Sequence, residues 1–227
     1  MNRVAIVTGA SQGLGLALAR RLAEEGYSLV IDARRAERLA DAEVELSWLT
    51  TVVAVPGDVS EPEHRRQLVD AATGLGAIDV LVNNASSLGA TPLPTLDDID
   101  LDVLRTTFDT NVVAPVALYQ MAVRHLAPGA VIVNITSDAA VGGYPGWGGY
   151  GATKAALEQV GRVLAAERPD LRVLTVDPGD MRTEMHQDAF PGEDIGDRPE
   201  PDASVPGLMT LIHGDQPSGR YSAKDVG

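Results

Sequence analysis

The chain contains no cysteine, and this absence excludes several kinds of chemistry. Disulfide bonds, thiolate nucleophiles and sulfur-based metal sites are ruled out, and we expect no metal. A chain without disulfides suits a reducing compartment, so we expect a cytoplasmic location. Long apolar runs are also lacking, because Pro115 and Gln120 interrupt the most apolar stretch. We therefore expect neither a membrane span nor a secretion signal.

Positive charge is scarce in this chain. Its 18 lysines and arginines face 32 aspartates and glutamates, which gives a formal net charge of −14. Such a chain repels the phosphates of nucleic acids and of anionic membranes, so we expect neither as a partner. The length of 227 residues, 44% of them hydrophobic, suits a single domain, residues 1–227, with a large core.

Short apolar segments alternate with longer amphipathic segments along the chain. The predicted strands are residues 4–8, 28–33, 51–55, 80–83, 130–136, 172–177 and 219–223. The predicted helices begin with the repeat of Leu14, Leu18 and Leu22 and continue with residues 36–49, 61–74, 96–126, 149–168 and 203–213, with Ser60 as an N-cap. Because the first six of these strand segments are continuously apolar, we expect a parallel sheet that is covered on both faces. This order predicts a doubly wound α/β fold in three layers, α/β/α.

Residues 184–205 depart from this regular pattern, since they contain three prolines, two glycines and many acidic residues. They follow the sixth predicted strand, and ligands of open α/β sheets bind beyond the carboxyl ends of the strands. We therefore predict a lid on the substrate side of the site. A surface insertion without a function is the alternative.

A glycine-rich turn joins the first predicted strand to the first predicted helix. Residues 8–15 read Thr-Gly-Ala-Ser-Gln-Gly-Leu-Gly. Gly9 permits a tight turn, Gly13 lets the backbone approach a diphosphate, and Gly15 allows close packing of helix on strand. A turn that binds no ligand is the alternative.

This spacing, Thr-Gly-x-x-x-Gly-x-Gly, resembles that of the short-chain dehydrogenase/reductase family. Four further motifs agree in the same order: Asp58-Val59, Asn83-Asn84-Ala85-Ser86, Ser137 with Tyr150-Gly151-Ala152-Thr153-Lys154, and the segment from Asp177-Pro178-Gly179 to Thr183. The resemblance covers residues 3–183, and more loosely the chain up to residue 223. It implies a Rossmann-type fold that binds NAD(P).

Tyr150 and Lys154 form the pair that carries the chemistry. A free phenol has a pKa of about 10, which is too high for a base at neutral pH, and a nearby ammonium lowers it. Residues four apart on a helix share a face, so Lys154 projects beside Tyr150. Taken without the other motifs, the same spacing also fits an ordinary pair on a helix surface.

The resemblance implies a role for each catalytic residue. Tyr150 acts as general acid in carbonyl reduction and as base in alcohol oxidation, and Lys154 lowers its pKa and holds the nicotinamide ribose. Ser137 hydrogen-bonds the substrate oxygen, and the spacing to Tyr150 favours it over Thr136. Asn111 orders a water in a proton relay to Lys154.

The resemblance also assigns the cofactor contacts. Asp58 meets the adenine amino group and Val59 its ring, while Pro178 and Gly179 position the nicotinamide. Ser86 stands where the family has glycine, and we expect its side chain near the adenosine half of the cofactor. The predicted cofactor-binding residues are Gly9, Ser11, Gln12, Gly13, Leu14, Gly15, Arg34, Asp58, Val59, Asn83, Ala85, Tyr150, Lys154, Pro178, Gly179, Met181 and Thr183.

The end of the second strand decides between NADP and NAD. NAD enzymes carry an acid there for the ribose 2′-hydroxyl, whereas a 2′-phosphate is met by arginine or lysine. Ala33 occupies the acid's position and Arg34 follows it, which favours NADP(H). Asp32 keeps NAD(H) open if the strand ends one residue early, and Arg34 and Arg35 also suit the start of a surface helix.

The sequence thus predicts an NADP(H)-dependent oxidoreductase that interconverts a carbonyl and an alcohol on a small organic substrate. The alternatives are a non-catalytic redox sensor on the same fold, an NAD-dependent alcohol dehydrogenase, and an epimerase or dehydratase. Tyr144 and Trp147 either form an aromatic wall or pack on the lid. We expect His186 to be an ordinary loop residue, with a contact to the substrate as the alternative. By resemblance, we expect a homodimer or homotetramer formed through residues 96–126 and 149–168.

Overall fold

The computed structural model describes residues 2–226, which form one seven-stranded parallel sheet flanked by helices. The strand order is β3-β2-β1-β4-β5-β6-β7. The strands are β1 (Arg3–Val7), β2 (Tyr27–Ala33), β3 (Val52–Pro56), β4 (Ile78–Asn83), β5 (Leu126–Ile135), β6 (Arg172–Asp177) and β7 (Gly219–Ser222). The predicted parallel α/β fold is confirmed.

Helices follow most of the strands. They are α1 (Gly13–Glu24), α2 (Ala36–Ser47), α3 (Pro62–Leu75), α4 (Leu101–Phe108), α5 (Ala114–Ala122), α6 (Gly148–Glu167), α7 (Glu184–Ala189), α8 (Val205–His213) and α9 (Ala223–Val226). Within residues 2–226, no helix is both long and apolar enough to cross a membrane.

The core lies on both faces of the sheet. Leu29 and Ile31 of β2 belong to one apolar cluster with α1, α2 and α8, whereas Val30 between them belongs to a second cluster with α3 and α5. Since alternate side chains of a strand point to opposite faces, this is the arrangement that continuously apolar strands predict. The strand order reverses between β1 and β4, where open α/β sheets form their ligand crevice.

The prediction of one long helix over residues 96–126 is wrong. Helix α4 begins at Leu101, after Asp100, whose carboxylate accepts hydrogen bonds from the backbone N–H groups of the first turn. A π-helical turn (Asp109–Val113) separates α4 from α5, and a 3₁₀ turn (Val123–His125) leads into β5. Such wide turns often occur at functional sites.

The predicted N-cap of α3 is also wrong. The Ser60 backbone N–H donates to the Asp58 carboxylate at 2.8 Å, and Glu61 is the N-cap, with Pro62 at the first helical position. Residues 184–205 contain more regular structure than predicted, since they include α7 and a 3₁₀ turn (Pro201–Ser204). Thr183 caps α7 by accepting a hydrogen bond from His186 N.

Candidate active site

A cleft of about 690 Å³ opens beyond the carboxyl ends of the central strands. Its lining includes most of the predicted site: Gly9, Ser11, Gln12, Gly13, Leu14, Gly15, Arg34, Asp58, Val59, Ala85, Ser137, Tyr150, Lys154, Pro178, Gly179, Met181 and Thr183. Asn83 and Asn111 are not among the lining residues. Within residues 2–226, no group of three or more His, Asp or Glu side chains is arranged to hold a metal ion.

The glycine-rich turn has the geometry that a bound diphosphate requires. Gly9 and Gly13 adopt φ values of +68° and +56°, which glycine reaches at little cost. A Cβ on Gly15 would lie 2.3 Å from the Gly9 carbonyl oxygen, so only glycine lets α1 start this close to the turn. The turn and the helix N-terminus thus fit a dinucleotide.

Asp32 is buried behind this turn, with 2% of its surface exposed. One carboxylate oxygen accepts a hydrogen bond from Gly9 N at 2.6 Å, and the other lies 2.9 Å from His64 Nε2. Both oxygens are therefore engaged with the protein. Asp32 nevertheless lines the cleft, so its role as the ribose acid of an NAD enzyme stays the alternative.

Arginines and one glutamate face each other across the adenosine end of the cleft. Arg35 and Arg38 pair with Glu184 at 3.1 and 3.0 Å, and Gln12 donates to the same carboxylate at 2.7 Å. The hydrogen bonds from Gln12 and the two arginines lower the pKa of Glu184 to about 2. Arg34, also exposed, lines the cleft beside them. These contacts join α7 to the start of α2.

Tyr150 and Lys154 lie one turn apart on α6, and both are almost fully buried. Lys154 Nζ lies 5.4 Å from the centre of the Tyr150 ring and donates to the Ile135 carbonyl at 2.8 Å. Burial lowers the pKa of Lys154 to about 8, because the interior disfavours the ammonium.

Burial likewise raises the pKa of Tyr150 above its ordinary value, and Asp177 and Asp138 add to the rise. The Ser86 hydroxyl acts in the opposite direction and lowers the pKa of Tyr150. The lowering of the Tyr150 pKa that we expect from Lys154 is thus opposed by the desolvation of the phenol.

Ser137 and Thr136 point to different places. The Ser137 hydroxyl, in the half-buried wall of the cleft, donates to Asp138 at 3.0 Å and accepts from Ala139 N at 3.1 Å. The Thr136 hydroxyl donates to the buried Glu158 carboxylate at 2.9 Å. Both residues line the cleft, but Thr136 is 2% exposed and its hydroxyl is committed to this contact with α6. Ser137 is therefore the better candidate for a contact with the substrate.

Asn111 lies in the π-helical turn and is 1% exposed. Its amide group donates to the Ser87 carbonyl at 2.8 Å and to the Thr153 hydroxyl at 2.9 Å. Its oxygen accepts from Ser87 N at 2.8 Å and from the Ser86 hydroxyl at 3.2 Å. These bonds hold the end of β4 against α6, directly behind Tyr150.

Asn83, a predicted cofactor contact, does not line the cleft. Its side chain is buried and donates to the Asn134 side chain at 2.8 Å, between β4 and β5. Asn84, not Asn83, lines the cleft, and its amide donates to the carbonyls of Thr8 and Gly9 at 2.8 and 3.1 Å. Side chains of a strand alternate in direction, which separates these neighbours.

A family model described as short chain dehydrogenase matches residues 3–194. The chain belongs to the short-chain dehydrogenase family. It is 37% identical over 188 residues to an uncharacterised oxidoreductase of Methylorubrum extorquens, covering 81% of this chain and 75% of the relative. It is 35% identical over 191 residues to sulfoacetaldehyde reductase 2 of Chromohalobacter salexigens, covering 82% and 75%.

Solved structures agree with this assignment. An alcohol dehydrogenase of Thermococcus sibiricus, complexed with 5-hydroxy-NADP, superposes with a TM-score of 0.87 at 28% identity, covering 98% of this chain and 96% of that protein. Members of the short-chain dehydrogenase family are oxidoreductases that bind NAD(P) and act on small carbonyl or alcohol substrates.

In this short-chain dehydrogenase, Ser86 is the site residue whose place the sequence did not predict. We expected its side chain near the adenosine half of a cofactor, but it lies beside Tyr150 and Asn111. The signal was its departure from the family's glycine. The sequence does not reveal its neighbours, because they depend on how the π-helical turn packs.

Aromatic side chains surround the mouth of the cleft above Tyr150. The Trp147 ring lies 5.7 Å from the rings of Tyr150 and Phe190, and His186 lies 4.9 Å from Phe190. Trp147 therefore both lines the cleft and packs on the segment after α7. His186 also lines the cleft, and its buried Nε2 has no hydrogen-bond partner among residues 2–226.

Proposed function

We propose that this short-chain dehydrogenase is an NADP(H)-dependent oxidoreductase that interconverts a carbonyl and an alcohol, with Tyr150 as the general acid and base. One observation carries the proposal: Tyr150 and Lys154 lie buried one turn apart on α6, and they line the same cleft as Ser137 and the glycine-rich turn. A sensor that only binds a nucleotide has no need for this constellation.

Tyr150, Ser137 and Lys154 each have a separate role in the proposed reaction. A bound nicotinamide would supply the hydride to the carbonyl carbon. The phenol of Tyr150 gives its proton to the carbonyl oxygen, and the Ser137 hydroxyl hydrogen-bonds that oxygen as negative charge develops on it. Lys154, protonated at pH 7, stabilises the phenolate that remains. Alcohol oxidation follows the reverse path, with Tyr150 phenolate as the base.

The preference for NADP(H) rests on the arginines at the end of β2. Arg34 lines the cleft beside Asp32, whose carboxylate oxygens are bonded within the protein, whereas Arg35 lines it but is paired with Glu184. A 2′-phosphate would therefore be met by the charge of Arg34. The NADP derivative bound to the Thermococcus sibiricus relative supports the same choice. We expect NADPH to bind at least about tenfold more tightly than NADH. A fluorescence titration that gives the reverse order contradicts the preference.

The substrate end of the cleft favours an uncharged carbonyl compound with a flat apolar body. Trp147 and Phe190 offer aromatic faces, and the carboxylates of Asp138, Asp177 and Asp180 repel anions. One relative is by its name a reductase of sulfoacetaldehyde, an anionic aldehyde. We propose that residues 184–205 act as the lid of this pocket, and that this chain prefers neutral substrates.

A panel of neutral and sulfonated aldehydes and ketones tests the enzyme against the sensor. NADPH oxidation is followed with each compound at equal concentration. We expect turnover with neutral aromatic carbonyl compounds at least about tenfold faster than with sulfonated ones. Tight NADPH binding without turnover of any carbonyl compound, or of any alcohol with NADP⁺, would favour the redox sensor.

A further inference from the structure

His64 lies buried in the first turn of α3, against the Asp32 side chain of β2. Its Nε2 lies 2.9 Å from one Asp32 oxygen, and the two side chains are 6% and 2% exposed. Because a carboxylate only accepts, Nε2 is the donor of this hydrogen bond. The other oxygen of Asp32 accepts from Gly9 N at 2.6 Å, in the glycine-rich turn. An acid that lines the cleft is thus held by the protein on both of its oxygens.

The imidazole of His64 packs directly on the backbone after β3. A Cβ on Gly57 would lie 2.3 Å from His64 Nδ1, so only glycine leaves room for the ring at this place. Within residues 2–226, this buried Nδ1 has no hydrogen-bond partner. A buried imidazole with one nitrogen unpaired costs more free energy than an apolar side chain of the same size. Packing alone therefore does not account for His64, whereas its contact with Asp32 does.

We propose that His64 is a positioning residue that sets the preference between the two cofactors. It holds the Asp32 carboxylate against the glycine-rich turn and so keeps this acid from the ribose 2′-hydroxyl of NAD(H). This inference rests on the proposed function, in which NADP(H) is the preferred cofactor. His64 acts only through the place and direction of Asp32, and it takes no part in the transfer of the hydride or the proton.

The direction of the Asp32 carboxylate matters because the two cofactors differ at one group. NAD(H) has a ribose 2′-hydroxyl that donates to an acid, whereas NADP(H) has a 2′-phosphate that an acid repels and an arginine attracts. Asp32 lies near the end of β2 and Arg34 directly after it, and both line the cleft. With Asp32 turned to Gly9 N and His64, the guanidinium of Arg34 is the group left to meet the ribose.

The variants His64→Leu and His64→Gln test the proposal in the full-length protein. NADPH and NADH are titrated separately by fluorescence, without substrate. Leucine removes the donor and frees one Asp32 oxygen for the ribose, so the ratio of the NADH to the NADPH dissociation constant should fall at least about tenfold. Glutamine keeps an N–H donor and should keep a ratio near that of the wild type. If thermal unfolding shows that His64→Leu does not fold, Gly57→Ala, which displaces the imidazole, should lower the same ratio.

The next residue of α3 provides the matched control. Arg65 is also buried, and its Nη1 donates to the Val59 carbonyl at 2.7 Å, so it holds the loop before α3 without a bond to Asp32. Arg65→Met should change the affinities for both cofactors by the same factor and leave their ratio unchanged. Adding Asp32→Ala to His64→Leu should restore the wild-type ratio, because the freed carboxylate is then absent.

The outcomes separate this role from the proposed function. An unchanged ratio in the folded His64 or Gly57 variant, an equal fall in Arg65→Met, or a fall that persists without the Asp32 carboxylate would overturn the role of His64. None of these results touches the preference of the wild type. A wild type that binds NADH more tightly than NADPH would instead overturn the proposed cofactor preference, and this inference with it.

Discussion

Lys154 shows how much of the site depends on a single buried charge. It is 2% exposed, and its ammonium donates to one backbone carbonyl, that of Ile135. An ion pair would compensate for the loss of hydration, but this contact does so only in part, and the pKa falls from 10.5 to about 8. The same desolvation that prepares Lys154 for its role must therefore reduce the stability of the fold.

A comparison of the wild type with the variant Lys154→Met should show how this loss of folding stability depends on pH. Between about pH 8 and pH 10.5 the unfolded chain holds the Lys154 proton and the folded chain does not. Stability of the wild type then rises with pH, since the unfolded state binds more protons. Relative to the variant, the wild type should gain up to about 3 kcal/mol across this window. Urea unfolding at both ends measures it, and a constant difference would contradict the argument.

At the scale of elements, the junction between β1 and α1 is the most tightly constrained. A Cβ on Gly15 would meet the Gly9 carbonyl oxygen at 2.3 Å and the Asn84 amide at 2.6 Å. Gly15→Ala should therefore destabilise the fold by about 1–3 kcal/mol and weaken NADPH binding.

Gly74 is the matched control, because it lies in α3 and a Cβ added to it would meet nothing within 4 Å. Gly74→Ala should leave NADPH binding unchanged and stabilise the fold by up to about 1 kcal/mol. Equal effects of the two substitutions on thermal unfolding would mean that the β1–α1 turn is not close-packed.

Most elements could be predicted because their signals are local. Continuous apolar runs predicted six of the seven strands, and the bounds of β6 match residue for residue. The last strand, β7, was predicted without such a run. The helix over residues 96–126 could not be predicted as a whole. Asp100 is a residue type that caps helices, so the start of α4 has a local signal. The π-helical turn at Asp109–Val113 has none, because Asn111 within it bonds to the distant residues Ser87 and Thr153.

The residues of the site fall into the same two groups, those with a local signal and those whose place depends on distant contacts. The glycine turn, Ser137, Tyr150 and Lys154 follow from motif and strand end, and all line one cleft. The place of Ser86 and the engagement of Asp32 by His64 depend on contacts between distant segments. No local pattern in the sequence carries that information.

At the scale of the whole molecule, the long helices near the site leave apolar side chains exposed. Leu101, Val113 and Val163 are 59%, 51% and 44% exposed on α4, the π-helical turn and α6. Such residues fit the predicted contact between copies of the chain. We expect a homodimer or homotetramer in sedimentation at micromolar concentration.

Charge at this surface should break the assembly. Val113→Asp combined with Val163→Asp should shift the chain towards monomer, because a buried unpaired carboxylate is costly. Trp48→Asp is the control, since Trp48 is 87% exposed at the C-terminal end of a different helix, α2. A wild-type monomer, or dissociation by the Trp48 variant alone, would contradict the predicted interface.

The central claim is that the Tyr150 hydroxyl transfers the proton, and Tyr150→Phe tests it most directly. Phenylalanine keeps the ring beside Trp147 and removes only the hydroxyl. We predict that kcat for reduction of a neutral aromatic ketone falls by about 10³-fold, while NADPH binds as tightly as in the wild type. Turnover at the wild-type rate in this variant, with NADPH bound, would contradict the account.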